Sequence, residues 1–203
     1  MLLDVEESQL VLVDLQTRLM PAIADGPAVL ANAVRLAKLA ALLKVPSFVT
    51  EQNPAGLGGS APELQLALEQ AGARVLSKMQ FSAVEEGLGE WLRPPQKPVQ
   101  GNARSLPKHL QKAVTGPERS MIVLAGCEAH VCLLQTALDL LEDEFDVWVV
   151  TDACGSRTER NRDAAFDRLA GAGAELVTTE MVAFEWIRSA EHPDFKAAQA
   201  LIK

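Results

Sequence analysis

The chain has 203 residues, 48% of them hydrophobic, which is enough for one α/β domain with a sizeable core. With 27 acidic and 19 basic side chains the formal net charge is −8, which argues against a nucleic-acid backbone or an anionic membrane face as partner. The opening MLLDVEESQLVLVDLQ lacks a basic leader and a small-residue cleavage site, and no apolar stretch reads as long enough to span a bilayer. Cys127, Cys132 and Cys154 form no CxxC pair, so a reducing, cytoplasmic setting is expected.

Leu10 to Asp14 (LVLVD) is a short apolar run ending in an acid, the pattern of a strand buried on both faces. A loop with Pro21, Gly26 and Pro27 follows. Over Val29 to Lys44, Leu30, Val34, Ala37 and Ala41 share one helical face, and Pro46 ends the helix. Ser47 to Thr50 reads as a second strand. Residues 51–60 are polar and Gly-rich, and Ser60-Ala61-Pro62-Glu63 predicts a helix start with a capping-box glutamate, the helix running to Gly72. A third strand opens at Val75 and ends near Lys78.

Residues 84–107, with Gly87, Gly89, Pro94, Pro95, Pro98 and Gly101, are too long and too broken for an ordinary connection and read as a loop insertion. Within them, Val84, Leu88, Trp91 and Leu92 have the spacing of a short amphipathic helix that Pro94 and Pro95 would stop. Such a segment could cover the strand ends as a lid, pack on a neighbouring subunit, or remain a solvated loop. Met121 to Ala125, Asp146 to Thr151 and Glu175 to Thr178 predict three more strands, with helices over 130–143 and 159–171 between them. Thr178 or Thr179 is placed to cap a final helix through Ile187.

Strands alternating with helices imply a single three-layer α/β/α domain over 1–203 with a mostly parallel six-stranded sheet. Such sheets place their sites at the carboxyl ends of the strands. Asp14, Glu51, Lys78, Cys127 and Asp152 all fall at or just after those ends. Cys132 follows Gly126 by six residues and would sit in the first turn of the next helix, where unpaired amides and the helix dipole favour a thiolate nucleophile. The alternative for the same residue is a small core cysteine. Cys127 and Cys154 read as structural or pocket-lining. For Asp14 the alternative is a loop cap, and for Lys78 an ordinary surface lysine. Taken together, a carboxylate could receive the thiol proton while an ammonium holds both groups in place.

Metal ligation is poorly supported: His109, His130 and His192 show no HxxxH or DxH spacing. No GxSxG elbow and no GxGxxG fingerprint occur either. No cofactor is expected.

In these residues the chain resembles the isochorismatase-like, or cysteine hydrolase, superfamily, over nearly its whole length. LVLVDLQ resembles the first strand with its catalytic aspartate, at Asp14. SKMQFSA resembles the segment with the catalytic lysine, at Lys78. GCEAHVCLLQTALDLL resembles the nucleophile segment and places the thiol at Cys132 and not Cys127, and VVTDACGSR also fits. The resemblance implies a Rossmann-like isochorismatase-type hydrolase fold, a cis peptide at Cys127–Glu128, and oxyanion donors among the amides of Glu128 or Ala129 and of Cys132. It further implies a small-molecule pocket bordered by Gln16, Glu51, Gln52, Phe81 and His130, and a homo-oligomer.

VTEQNPAGLG and TTEMVAFEWIRSAEHPDFKAAQALIK resemble the isochorismatase-domain-containing hydrolases of uncertain substrate. Nicotinamidases of the superfamily carry a D-x-H metal segment where this chain has Glu51-Gln52-Asn53, so no metal is implied. A nucleophilic thiol favours an amide, imide or carbamoyl substrate over a vinyl ether. A vinyl ether hydrolase, and a binding or scaffold protein that keeps the fold without turnover, remain the alternatives.

Overall fold

Two runs dominated by apolar residues, SQLVLV and MIVLAGC, form the adjacent central strands β1 (Ser8–Val13) and β4 (Met121–Cys127), every residue of which is buried. Continuous rather than alternating hydrophobicity follows from helices covering both faces of the sheet. The computed structural model describes residues 1–93 and 119–203. The strands β2 (Ser47–Gln52), β3 (Arg74–Lys78), β5 (Asp146–Gly155) and β6 (Glu175–Val177) complete a sheet of order β3-β2-β1-β4-β5-β6, with every pair parallel. The chain builds outward from β1 on one side and then returns to build outward from β4 on the other. The carboxyl ends of β1 and β4 therefore flank the topological switch point, where a crevice opens in sheets of this kind.

Right-handed crossovers put α1 (Gly26–Leu43) and α3 (Pro62–Ala71) on one face and α5 (Leu134–Glu142) and α6 (Glu159–Gly171) on the other. The short α2 (Pro54–Leu57) lies in the Gly-rich stretch after β2. α7 (Thr179–Ile187) and α8 (Phe195–Ile202) pack back against α1. α2 and α8 were not foreseen. α1 is by length and composition alone apolar enough to cross a membrane, contrary to the reading of the sequence. In the fold its apolar face is core: Val29, Ala33, Leu36, Ala37, Leu39 and Ala40 are buried.

The predicted elements need several corrections. Ser60 does not cap α3: the cap residue is Ala61, and both the amide and the hydroxyl of Ser60 donate to Glu51 Oε1 (2.7 and 2.8 Å). Thr178, not Thr179, caps α7 by accepting from the Met181 amide. Thr179 instead donates to Asp152, which makes Asp152 a helix-start tie. β5 runs on to Gly155 because a register irregularity between Leu124 and Gly126 lets it continue along β4 to the Cys127–Gly155 pair.

The segment after Lys78 is not a lid over its first half. Residues Val84–Glu86 form a 3₁₀ turn and α4 (Leu88–Leu92) follows, with Leu88 and Leu92 buried. The Leu92 carbonyl accepts from Gln9 Nε2 near the start of β1 (3.0 Å), and Arg93 Nη1 donates to the Asp143 carbonyl just past α5. Trp91 packs on Phe48 of β2 and lies under the Arg74 guanidinium of β3 (3.8 Å). All these contacts sit at the amino ends of the strands. The segment has crossed from the carboxyl edge to the opposite one, so its amphipathic face supplies core between β3 and β4. Residues 94–107 of the proposed insertion, and His109, lie outside the described residues.

Gly126 is needed where β4 meets β1. Its φ is +132°, and a Cβ there would stand 2.0 Å from the Val13 carbonyl oxygen. Replacement by alanine must move β1 just before Asp14. Gly72, at the end of α3, also has positive φ (+61°), but a Cβ there would meet nothing within 4 Å. We expect Gly126→Ala to destabilise by about 3 kcal/mol or more and Gly72→Ala by only about 1 kcal/mol, read from denaturant midpoints. Equal costs would show that the β1–β4 contact does not require glycine.

Candidate active site

β1 ends at Val13, and the next residue turns out of the sheet in the left-handed region (Asp14 φ +50°). This turn directs the Asp14 carboxylate into the crevice, where it has no solvent exposure. A bare carboxylate there would cost several kcal/mol. Its two oxygens are matched by two strands: Oδ1 accepts from Thr50 Oγ1 of β2 (2.6 Å), and Oδ2 accepts from Lys78 Nζ at the end of β3 (2.8 Å). Lys78 is also buried. Its ammonium donates further to Gln52 Oε1 (2.7 Å) and to the carbonyls of Phe81 (3.0 Å) and Gln80 (3.3 Å). Four acceptors surround its three N–H bonds, which fixes the position of the ammonium.

After the Cys127–Glu128 peptide, which is cis, the backbone enters a π-type turn, Ala129–Leu133, that leads into α5. The Glu128 carbonyl takes the amides of Val131 and Leu133. Amides at the start of such a turn lack intrahelical acceptors and are free to serve a ligand. Cys132 lies in this turn, 7% exposed, and its thiol is close enough to Asp14 and Lys78 to feel the charge of both. The geometry thus brings Asp14, Lys78 and Cys132 together from three separate parts of the chain.

The expected thiolate is not the resting form. Burial, and then the Asp14 carboxylate, push the Cys132 thiol up to about 12, with Lys78 acting in the opposite direction. Loss of hydration outweighs the favourable turn. Cys127, fully buried between Met20 and Gly155, is pushed up to about 12 by burial, and Cys154 is raised further for the same reason. Both belong to the core.

The pocket candidates divide by strand parity. Gln52 shares the face of Thr50 and touches Lys78, whereas Glu51 points to the opposite face and is spent on Ser60. Gln16, fully buried, holds the loop after β2: its Nε2 donates to the Gln52 and Gly58 carbonyls, and its Oε1 accepts the Gln52 amide. Phe81 contributes its carbonyl, while its ring is half exposed. His130 pairs with Ser156 (3.0 Å) and Asn161 (3.3 Å). Glu128 accepts from the amide (2.9 Å) and Nε (3.0 Å) of Arg157, which ties the loop after β5 to the turn. Among the described residues no three His, Cys, Asp or Glu side chains cluster to hold a metal ion. Thr50 escaped the sequence reading, although a hydroxyl directly after the apolar pair Phe48-Val49 at a strand end is a signal. Ser82 and Asp139, and the Ala83 amide and Thr136, are joined by hydrogen bonds across more than fifty positions, which the sequence reading did not assign.

The isochorismatase domain matches residues 8–97 and 105–181 of the chain. Isochorismatase domain-containing protein 2A of Mus musculus is 38% identical over 199 residues, covering 98% of this chain and 84% of that protein. Two solved structures are similar at TM-scores of 0.84 and 0.78. The first is the MAR1 ribonuclease from Caenorhabditis elegans, 32% identical and covering 100% of this chain and 92% of that one. The second is the YcaC gene product from Escherichia coli, described as an octameric hydrolase of unknown specificity, 27% identical and covering 98% and 87%. With the domain matched along most of its length, and with Asp14, Lys78 and Cys132 meeting at the switch point of the sheet, the chain belongs to the isochorismatase domain family.

Proposed function

We propose that the protein is a cysteine-dependent hydrolase of a small amide, imide or carbamoyl compound. In this reading Cys132 is the nucleophile, Asp14 the general base and Lys78 the electrostatic partner. One observation carries it: a buried carboxylate and a buried ammonium, 2.8 Å apart, both act on one buried thiol. A thiol held protonated needs a base at the moment of attack, and Asp14 is that base. Asp14 takes the Sγ proton as sulfur adds to the carbonyl carbon, and the π electrons move to the oxygen. The amides of Ala129 and Cys132 receive that oxyanion. Collapse breaks the C–N bond, the leaving nitrogen takes the proton from Asp14, and a thioester remains on Cys132. Water then gives a proton to Asp14 and adds to the thioester. Collapse releases the acid, and Asp14 returns the proton to sulfur. Lys78 keeps its proton throughout and holds Asp14 in place.

A second reading comes from the Caenorhabditis elegans neighbour, which is named as a ribonuclease. The net charge of −8 and the burial of all three side chains argue against a polyanionic chain reaching this site. Cleavage of RNA by the purified protein, lost in Cys132→Ala, would replace the amide reading with this one. The octameric Escherichia coli neighbour supports a homo-oligomer. A reducing compartment, as in the cytoplasm, suits a mechanism that needs a free thiol. We further propose that the reaction uses no metal, since residues 51–53 carry no imidazole.

An ammonia-release screen over small amides is the direct test. We expect Cys132→Ala to lower turnover at least about 10³-fold with the fold intact. Asp14→Asn should lower it about 10²–10⁴-fold and yet speed alkylation of Cys132 at neutral pH, because the carboxylate that raises the thiol is gone and Lys78 remains. Full turnover in either variant would remove the thiol mechanism. Iodoacetamide should modify wild-type Cys132 about tenfold faster per pH unit from 7 to 10, because the thiolate fraction grows that way well below its pKa. A plateau below pH 9 would show that Lys78 overrides burial. Elemental analysis should find no stoichiometric zinc, and light scattering should find more than one subunit.

A further inference from the structure

Lys78 is held by a strap of five residues, Met79–Ala83, that leaves the end of β3. The carbonyls of Gln80 and Phe81 in this strap accept from its ammonium (3.3 and 3.0 Å). Apolar packing holds the strap only at its far end, where Ala83 is in the core, because the side chains of Met79 and Phe81 are 66% and 51% exposed. Hydrogen bonds fasten it at both ends. At the near end Glu86 Oε1 accepts the amides of Met79 (3.0 Å) and Gln80 (2.9 Å), and Gln52 Nε2 donates to the Met79 carbonyl (2.8 Å). At the far end Ser82 Oγ makes a short hydrogen bond to Asp139 Oδ2, and Thr136 Oγ1 accepts the Ala83 amide (3.0 Å). Thr136 and Asp139 lie on α5, the helix that continues from the turn carrying Cys132.

We propose that Glu86, Ser82, Thr136 and Asp139 are positioning residues: they fasten the strap so that its two carbonyls keep the Lys78 ammonium on Asp14 and the Cys132 thiol. The turn that leads into α5 then carries Cys132, and α5 itself holds the lysine's strap through Thr136 and Asp139. The physical reason is the flexible lysine stem, whose long side chain holds one position only when its N–H bonds are all received. Two of the acceptors are backbone carbonyls, whose direction follows the peptide planes. Glu86 fixes the planes at Met79 and Gln80 by taking both amides, and the α5 contacts fix the peptides that follow Phe81. This deepens the proposed role of Lys78 as electrostatic partner and rests on that reading.

The test reads the thiol directly, with no substrate. The groups acting on Cys132 are Asp14 and Lys78, and the lysine is the one that lowers its pKa. A loosened ammonium stabilises the thiolate less, so in Glu86→Ala and Asp139→Ala the iodoacetamide pH profile should move up. At pH 8.5 the rate should fall about 3–10-fold, a shift of about half to one pH unit. Loss of a negative charge alone would speed the reaction, so slowing separates strap release from a field effect. Glu86→Gln and Asp139→Asn keep an acceptor oxygen and should stay within about twofold of wild type. Wild-type profiles in both alanine variants, with only a lowered melting temperature, would overturn the proposal. Should Asp139→Ala not fold, Glu86→Ala decides alone, since its side chain is on the surface side of the strap. A wild-type protein that hydrolyses no amide, but shows the shift, leaves the strap standing and refutes the hydrolase reading. Amide turnover without the shift does the reverse.

Discussion

A carboxylate and an ammonium with no solvent exposure meet between the ends of β1 and β3, and much of the surrounding structure answers to that pair. Removing two opposite charges from water costs more than their attraction returns unless other hydrogen bonds complete their valences. Here they do. Thr50 takes the second oxygen of Asp14, while Gln52, Gln80 and Phe81 take the remaining protons of Lys78. Among the described residues no buried side-chain nitrogen or oxygen lacks a partner. β2 runs between the two strands that bear the charges, and alternation along it decides which of its side chains join them. Thr50 and Gln52 join; Glu51, one residue away from each, serves Ser60 on the other face.

The pair also determines what kind of thiol Cys132 is. Two effects compete at this sulfur. The Lys78 charge favours the thiolate, while burial and the Asp14 charge favour the thiol, and burial is the largest of the three. In the proposed hydrolase, such a thiol would stay protonated until its proton has somewhere to go. The nearest acceptor is the carboxylate whose charge raised it. On that proposal the arrangement that keeps the proton on sulfur also supplies the route for removing it, with Lys78 acting through its charge alone.

Much of the scaffold is legible locally. The six strands follow from apolar runs of the right length, and the parallel sheet from their alternation with helices. Asp14, Lys78 and Cys132 are findable because each falls near a strand end, where a polar side chain is out of place in its neighbourhood. What failed was read from composition without a partner. Ser60 looked like a cap, but Glu51 competes for it. Residues 84–92 could be read as a lid, a subunit contact or a solvated loop because they follow Lys78, yet their apolar face fits the amino ends of β1, β2 and β3. The spacing of Val84, Leu88, Trp91 and Leu92 shows that a face will be buried and does not say against what.

That limit is general to this chain. Periodicity of 2 or 3.6 residues is a property of neighbours in sequence, so the sequence by itself determined the strands, most of the helices, and the edge of the sheet at which polar residues collect. The tertiary structure alone decided the chemistry of those residues. Asp14 and Lys78 stand 64 positions apart, Ser82 and Asp139 stand 57 apart, and nothing in either segment encodes the other's distance. Charge state follows the same division. A cysteine near a helix start reads as a thiolate from its own segment, and only the folded crevice, by excluding water and setting a carboxylate beside it, makes it a thiol.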